Sequence, residues 1–423
     1  MSDELCQGDA TAPFGRDAVR RLGAAGPWRV LGLAALAQFG VSVVDQGLPT
    51  LTGFVKAELG VSAGIAGLAV SSVAFGKIFG SYAAGIAADR LGERRVIVAG
   101  ALAVGALVVA AAAAPLPLLL LLLFFAGAAG STSTPAGGRL VLLAFPPTRR
   151  ALALGVRQCG IPAGGLVAAL VLPTIAHIWN WRWSLVAAGA MTIVTALPLA
   201  ASDIKRRPGV EPKSSTPDPR TESPLRNRNI RLLTVWGCLV VTGQYALLAF
   251  LALDLHRSSG LSLASGSLLV ALSNAFGIVG RIAWGAMSDR ALSQGRKPLL
   301  LLLNAMALAA TLALLVTPRS APVGVFAAVA AFAGFSLIGF QGLFITMVAE
   351  QAGPLRVGAA TGFSITFVQT AIALTPPLYG LVADLAHSYR AIWAVLSGVL
   401  LLALVPAAAL RDTPTSPTRT ERI

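Results

Sequence analysis

Long, continuously apolar runs dominate this 423-residue chain and leave few folds open to it. Twelve such runs, each close to the ~20 residues that a helix needs to cross a bilayer, follow one another along the sequence. Because they are continuous rather than alternating, they favour membrane-spanning helices over the strands of a membrane barrel. The runs cover residues 28–50, 62–84, 95–114, 117–143, 151–174, 184–202, 231–252, 263–285, 298–316, 322–347, 358–380 and 390–410.

The composition agrees with a polytopic membrane protein, since 56% of the residues are hydrophobic and only 12% are charged. One long connection, rich in Pro, Ser and charge, divides the runs six to six and is expected to be a cytoplasmic linker. The first 27 residues lack the apolar core of a signal peptide, so no cleavage is expected. The predicted parts are a cytoplasmic tail 1–27, an amino-terminal half 28–202, the linker 203–229, a carboxyl-terminal half 230–410 and a cytoplasmic tail 411–423.

The net charge of +15 is distributed unevenly between the loops. Most Arg and Lys residues fall in the two tails and the even-numbered loops, which predicts that both termini lie in the cytoplasm. The basic surplus is therefore expected to set topology instead of binding nucleic acid. The expected location is a bacterial inner membrane, in contact with lipid. Cys6, Cys159 and Cys238 are scattered and form no disulfide framework or metal-site spacing.

Two stretches of the chain repeat each other 200 residues apart. The first copy contains Gly80, Gly85, Asp89 and Arg90 and continues with 92–95 (Gly-Glu-Arg-Arg). The second copy contains Gly280, Gly285, Asp289 and Arg290 and continues, after a longer gap, with 295–297 (Gly-Arg-Lys). Because each copy closes a long apolar run, the sequence indicates a duplicated membrane unit.

These copies resemble the loop G-x-x-x-D-R-x-G-x-R-R that joins the second and third helices in each half of major facilitator superfamily transporters. The resemblance implies an all-α fold with twelve transmembrane helices in two six-helix halves, related by an axis along the membrane normal. It also implies a monomer that works by alternating access, with its substrate site between the halves near the midplane. No cofactor is implied.

The same resemblance implies a conformational latch at the two loops. Small residues let helices approach closely in lipid, and a carboxylate such as Asp89 can face the positive end of a neighbouring helix. The alternative interpretation is that the arginines only fix the topology. The candidate latch residues are Gly85, Asp89, Arg90, Gly92, Arg94, Gly285, Asp289 and Arg290.

Four basic residues inside the apolar runs suggest an anionic substrate. Measured from the run centres, they lie in the cytoplasmic half of the bilayer, where the sequence shows no buried acid to pair with them. Arg281, within 280–285 (Gly-Arg-Ile-Ala-Trp-Gly), resembles the helix-8 arginine of oxalate/formate antiporters and monocarboxylate carriers, and an arginine fork suits a carboxylate. Alternatively, Arg139 and Arg157 reach the interface by snorkelling. The candidate substrate-binding residues are Arg281, Lys77, Arg157, Arg139, Asn274, Gln38, Gln244 and Gln369.

Asp45 is the one carboxylate that the predicted spans place well inside an apolar run. Burial favours the protonated form of a carboxyl group, which is the property that a proton-coupling residue needs. We expect Asp45 either to carry a proton or to be a structural hydrogen-bonding residue. The three histidines fall in or beside predicted periplasmic loops, so a histidine relay is not expected.

The sequence therefore predicts a secondary transporter of a small organic anion, with proton coupling as an added hypothesis. The alternative is a proton-driven drug or metabolite efflux antiporter, since residues 160–165 (Gly-Ile-Pro-Ala-Gly-Gly) resemble the G-P-x-x-G-G motif of drug/proton antiporters with Pro displaced by one position. Residues 157–165 instead resemble cyanate-type permeases. An enzyme is not expected, because the sequence contains no metalloprotease, nucleophile-elbow or P-loop motif.

Overall fold

The computed structural model describes residues 26–61, 63–202, 226–291, 295–352 and 356–411. Most of the predicted linker (203–225) and of the two predicted tails (1–25 and 412–423) lies outside the described residues. Within the described ranges every regular element is a helix, and no strand occurs there.

The helices form two sets of six, which confirms the predicted fold class. The first half contains α1 (Pro27–Leu59), α2 (Ala63–Leu91), α3 (Glu93–Ala112), α4 (Leu116–Gly130 and Ser133–Ala144), α5 (Arg150–Gln158 and Gly160–Ile178) and α6 (Trp181–Ala200). The second half contains α7 (Arg228–Ser259), α8 (Leu263–Arg290), α9 (Lys297–Val316), α10 (Val323–Ala333 and Gln341–Ala352, joined by the π-helical turn Gly334–Ile338), α11 (Val357–Leu385) and α12 (Arg390–Ala408).

Eleven of these helices, within the described part of the chain, are long and apolar enough to cross a membrane. The remaining one, α2, has 29 residues and carries Lys77 and several serines in its middle turns, which lower its hydropathy. A helix with an ionisable residue at this depth needs protein rather than lipid around that residue. The composition of α2 therefore already indicates that one of its faces lies against other helices.

Several helices continue past the points at which the sequence predicted their ends. Pro49, Pro173 and the pair Pro376–Pro377 all lie inside helices, and α1, α5 and α11 run on beyond residues 50, 174 and 380, where their apolar runs end. Membrane helices tolerate proline because neighbouring helices and local adjustments satisfy the backbone groups that proline leaves unpaired. The longer helices matter for function because they move the centre of each helix away from the centre of its apolar run.

Glycines bring α2 and α4 into backbone contact within the first half. A Cβ atom placed on Gly76 would lie 1.9 Å from the carbonyl oxygen of Phe124, and one placed on Gly127 would lie 2.1 Å from that of Val73. Both oxygens belong to the backbone, so neither can make room for a methyl group unless its whole helix moves. This close packing fixes the position of α2, which carries both Lys77 and Asp89.

We expect Gly127→Ala to lower the thermal stability of the purified protein, because the new methyl group must push α2 away from α4. Overpacking of this kind costs about 1–3 kcal/mol. The matched control is Gly398→Ala in α12, where nothing lies within 4 Å of the added atom. Alanine there should be neutral or stabilising, since it is the better helix former by about 1 kcal/mol. Equal melting temperatures for the two variants in detergent would contradict the packing role of Gly127.

Candidate functional site

The two motif aspartates make equivalent contacts between the halves. Asp89, at the end of α2, accepts hydrogen bonds from the backbone N–H groups of Gly358 (3.1 Å) and Ala359 (2.8 Å), at the start of α11. Asp289, at the end of α8, accepts bonds of 2.9 Å from the backbone N–H groups of Ala151 and Leu152, at the start of α5. Each carboxylate thus faces the positive end of a helix in the opposite half. We call the end of the bundle at which these contacts lie the motif end.

The glycine of each motif copy allows the helices to meet at the motif end. A Cβ atom on Gly85 would lie 2.3 Å from the carbonyl oxygen of Gly358. A Cβ atom on Gly285 would lie 2.6 Å from the carbonyl oxygen of Ala151. Both crossings therefore exclude any larger residue at this separation of the halves. The close approach of helices at the motif glycines thus joins α2 to α11 at Gly85 and α8 to α5 at Gly285.

Each motif aspartate also belongs to a three-residue charge cluster, and the clusters of the two halves have opposite arrangements. In the first half Arg139, on α4, lies 3.3 Å from Asp89 and pairs with Glu93 at the start of α3. In the second half Arg296, next to the start of α9, lies 3.8 Å from Asp289 and 2.9 Å from Glu350 on α10. The first half thus has its carboxylate on the third helix and its guanidinium on the fourth, whereas the second half has the guanidinium beside its third helix and the carboxylate on its fourth.

This pairing corrects the expectation for Arg139. The sequence offered no buried acid for it, but the structure gives it two carboxylate neighbours, because Glu93 and Asp89 flank the turn against which α4 packs. Arg139 also donates a 3.0 Å hydrogen bond to the carbonyl oxygen of Ala88. It belongs to the contacts of the motif end and does not line the cavity described below.

The other candidate latch residues lie around these contacts. Arg94 donates to the carbonyl oxygens of Leu199 and Ala200, so it joins α3 to the end of α6 inside the first half. Gly92 has a φ of 90°, a backbone conformation that favours glycine and allows the sharp turn between α2 and α3. Arg90 and Arg290 are exposed to solvent or lipid headgroups.

A cavity of about 80 Å³ lies between the halves, toward the middle of the bundle. Its lining from the first half is polar: Gln38, Ser42, Asp45, Gln46, Lys77, Ser81, Ser131, Thr134 and Gln158, with Gly130 and Ile161. Its lining from the second half is mostly apolar: Phe340, Phe344, Ile345, Ile365, Val368 and Ile372, with Tyr245, Gln341 and Gln369. The polar side chains of the first half can form hydrogen bonds to one side of a small solute, and the apolar side chains of the second half can pack against its other side.

Lys77 and Asp45 form an ion pair in the wall of this cavity, with 2.5 Å between Nζ and Oδ2. The expectation that Lys77 has no buried acid to pair with is therefore wrong. Both side chains keep a small exposed area, 17% for Lys77 and 15% for Asp45. They are the charged groups that a solute in the cavity meets directly.

Arg157 and Arg281 lie behind the cavity wall, one from each half, and both are completely buried. Arg157 donates to Oε1 of Gln38 (3.0 Å) and to the carbonyl and hydroxyl oxygens of Ser133. Arg281 donates to the carbonyl oxygens of Ile338 (3.2 Å) and Gln158, and the second of these bonds joins the two halves. In the described part of the chain no carboxylate lies within ion-pair distance of either guanidinium. Nη2 of Arg281 and Nε of Arg157 have no hydrogen-bond acceptor there.

Three glutamines connect the halves across the middle of the bundle. Oε1 of Gln158, on α5, accepts a bond from Arg157 (3.3 Å), and its Nε2 lies 3.5 Å from Oε1 of Gln341 on α10. Gln341 in turn donates to Gln244 on α7 over 3.2 Å. Opening the cavity at this level must break the contact between Gln158 and Gln341.

The remaining predicted substrate residues have different positions. Gln38 and Gln369 line the cavity, whereas Gln244 is buried behind it. The side-chain amide of Asn274 donates to the carbonyl oxygen of Val270 in its own helix, and Asn274 is not among the lining residues. Among the lining residues that the sequence did not point to, four have long polar side chains: Gln46, Gln158, Gln341 and Tyr245. Their signal was a long polar side chain in or beside an apolar run, the same signal that pointed to Gln38.

Another carboxylate, Asp254, is buried in a membrane-crossing helix outside the cavity. It lies in α7 beyond the predicted span, is 4% exposed, and accepts a 2.7 Å hydrogen bond from the indole N–H of Trp393. Asp254 borders a larger hollow of about 580 Å³ at the end opposite the motif end, together with Arg257, Arg319 and Asp384. That hollow lies within the second half alone. We therefore assign the candidate site to the smaller cavity, which lies between the halves and beside the buried cations.

Sequence comparison agrees with the duplicated architecture. The family model described as Major Facilitator Superfamily matches residues 31–352 and again 237–422. The chain belongs to the Major Facilitator Superfamily. An uncharacterized MFS-type transporter of Mycobacterium tuberculosis is 31% identical over 360 residues, covering 82% of this chain and 77% of the relative. The hexuronate transporter of Bacillus subtilis is 24% identical over 376 residues, covering 83% of this chain and 86% of the relative.

Solved structures show the same fold. The Escherichia coli fucose:proton symporter superposes with a TM-score of 0.71 at 17% sequence identity, covering 90% of this chain and 99% of the symporter. A second structure of that transporter, in the outward conformation, gives a TM-score of 0.69 at 17% identity. The chain is thus a multi-pass membrane transporter of a small solute, in a family whose members are in general not enzymes.

Proposed function

We propose that this transporter carries a small organic anion of the carboxylate type, bound between its halves. One observation carries the proposal: Arg157 and Arg281 are completely buried, one from each half, and no carboxylate pairs with either in the described part of the chain. Together with Lys77 they place three cations around the cavity against the single carboxylate of Asp45. Buried charge without a partner is costly, and an anionic substrate would supply the missing partner.

Arg281 can reach such a substrate when the halves separate at the motif end. Its bond to the carbonyl oxygen of Gln158 crosses between the halves, so it is lost whenever α8 moves away from α5. The guanidinium then needs a new acceptor, and its Nη2 has none even now. A carboxylate can accept two parallel bonds from one guanidinium, which makes it the best-fitting replacement.

The size and the lining of the cavity favour a small solute that has one polar and one apolar side. Its volume of about 80 Å³ is far below the roughly 300–1,000 Å³ of pockets for drug-sized ligands. Glutamine and hydroxyl side chains of the first half would hold hydroxyl or carboxylate groups, while Phe340 and Phe344 of the second half would pack against carbon. The hexuronate named for the Bacillus subtilis relative combines these features, since it carries a carboxylate, several hydroxyl groups and an apolar ring face.

The membrane orientation and the latch are part of the same proposal. With both termini in the cytoplasm, the motif end faces the cytoplasm, and the contacts of Asp89 and Asp289 close the pathway on that side. The state described would then be closed to the cytoplasm. Inner-membrane location, transport as a monomer and proton coupling through Asp45 complete the proposed function.

Binding and transport by the purified protein test the carboxylate proposal. We expect formate, lactate, oxalate or glucuronate to raise the melting temperature, whereas uncharged fucose and the cationic dye ethidium should not. A ligand at a hundred times its Kd stabilises the folded state by about 2.7 kcal/mol, which is easily detected. The same carboxylate should accumulate in, or exchange across, liposomes that contain the protein.

The outcome that contradicts the proposal is specific. If ethidium alone stabilised the protein and was transported, while every carboxylate left the melting temperature unchanged, the carboxylate assignment would be wrong. The alternative of a drug efflux antiporter would then be favoured, and the buried arginines would need a structural explanation.

A further inference from the structure

The ion pair between Lys77 and Asp45 differs from the ionic contacts of the two motif aspartates. At the motif end, Asp89 and Asp289 each accept two backbone hydrogen bonds besides their ionic contacts, so each carboxylate stays bonded if one guanidinium leaves. For Asp45, by contrast, Lys77 is the hydrogen-bond donor that the described residues provide. The Asp45 carboxylate therefore depends on Lys77 for its charge balance.

Among the described residues, the surroundings of Asp45 offer no second carboxylate to take its place. Lys77 faces it from α2 and Tyr245 from α7, and the fully buried Arg157 and Arg281 lie behind the wall on α5 and α8. From α10 and α11 the lining contributes Gln341 and Gln369 but no titratable group, within the described residues. An anion that enters the cavity therefore meets one accessible cation, Lys77, and that cation is already held by Asp45.

We propose that the substrate carboxylate and Asp45 compete for Lys77, and that this exchange couples transport to protons. The inference rests on the proposed function, in which the substrate is a carboxylate. When the substrate takes the Lys77 ammonium group, Asp45 loses its hydrogen-bond donor inside a poorly solvated site. A carboxylate left in that position is stabilised by binding a proton from water.

The exchange conserves charge and breaks no covalent bond of the substrate. One ionic contact, Lys77–Asp45, is replaced by another, Lys77–substrate, and a single O–H bond forms on Asp45. The cavity thereby gains one negative charge and one proton. For a monocarboxylate each transport cycle would move one anion with one proton, without net charge.

Asp45→Asn separates this exchange from an ordinary binding role. A residue that contacts the substrate directly would weaken binding when changed. Here the asparagine removes the competitor for Lys77, so the carboxylate should bind about tenfold more tightly at pH 8. Its affinity should no longer change between pH 5.5 and 8, and uptake driven by a pH gradient should be lost while exchange persists. The assay is titration of the detergent-purified variant with glucuronate and lactate.

Three controls make the result interpretable. Lys77→Gln should weaken binding, and the double variant Asp45→Asn/Lys77→Gln should bind no more tightly than Lys77→Gln alone. Asp254→Asn makes the same change at a buried carboxylate that Trp393 binds outside the cavity, so it should leave affinity and pH dependence unchanged. The parent protein gives a measurement without any variant: binding of glucuronate in weakly buffered solution should take up about one proton per ligand bound.

The outcomes distinguish the two proposals. If the parent binds a carboxylate without proton uptake, or if Asp45→Asn binds it no more tightly and with unchanged pH dependence, the exchange is wrong. Proton coupling through Asp45 then fails with it, whereas the carboxylate substrate of the proposed function stands. If the parent binds none of the carboxylates but transports another solute, the proposed function is wrong, and the exchange is overturned with it.

Discussion

Replacing Arg281 by glutamine is expected to weaken carboxylate binding by roughly tenfold to more than a hundredfold. The guanidinium is completely buried, lacks an acidic partner in the described part of the chain, and has one nitrogen without an acceptor. A substrate carboxylate would form a charge-assisted hydrogen bond worth about 1.5–3 kcal/mol, and the loss of that bond sets the expected factor. The measurement is the Kd of the purified variant for the carboxylate that stabilises the parent most.

One further substitution tests whether the geometry of the arginine matters as well as its charge, and another serves as the control. Arg281→Lys keeps the charge but loses the planar fork, so it should restore binding only in part. Arg182→Gln is the matched control, because this arginine at the start of α6 donates to carbonyl oxygens at the end of α3, outside the cavity. Unchanged affinity in a folded Arg281→Gln protein would contradict the carboxylate site and favour the efflux alternative.

The fold could be predicted from the sequence because its determinants are local and repeated. Continuous apolar runs specify helices in lipid, where every backbone group must be bonded within its own segment. The position of Asp89 opposite a helix N-terminus followed from the same kind of argument, since a carboxylate at the membrane interface is stabilised by the positive end of a neighbouring helix. The second copy of the motif repeats that contact in spite of its longer gap.

The pairing of Asp45 with Lys77 could not be read from the apolar runs, for a physical reason. Hydropathy marks where an apolar run stops, whereas the helix continues through polar turns beyond it. Counted over the helices themselves, the centre of α1 lies at residue 43, halfway between 27 and 59, and that of α2 at residue 77, halfway between 63 and 91. Both charged residues therefore lie at nearly the same depth. The centres of their apolar runs, residues 39 and 73, would instead put Asp45 and Lys77 on opposite sides of the midplane, because the two helices run in opposite directions.

The partners of Arg139 and the glutamine contacts escaped prediction because they depend on which helices are neighbours. Glu93 precedes Arg139 by 46 residues, and Gln158 and Gln341 lie 183 residues apart on different halves. No sequence spacing encodes such contacts. They follow only once the halves are packed together, and this packing also decides which of the four basic residues stay without an acid.

The largest conformational effect is expected from the double variant Asp89→Asn/Asp289→Asn. Each aspartate accepts two backbone N–H bonds at a helix N-terminus of the opposite half, and asparagine offers one oxygen and no charge. Each hydrogen bond to a charged group contributes about 1.5–3 kcal/mol. Loss at both sites should therefore raise the fraction of molecules whose halves are open at the motif end by a hundredfold or more. Asp89→Asn alone should lower transport and leave carboxylate affinity largely unchanged.

Thiol labelling can measure that shift directly. Leu154, in α5, is fully buried in a hydrophobic cluster formed mainly by the second half, so Leu154→Cys should react with a water-soluble maleimide only when the halves part. With the natural cysteines replaced, the double aspartate variant should raise its labelling rate in proportion to the open population. Leu303→Cys in α9, also fully buried but surrounded by its own half, is the control whose rate should not change. If labelling of Leu154→Cys and the transport rate both stay at parental values, the aspartates do not hold the halves together, and the two motif loops serve only to orient the chain in the membrane.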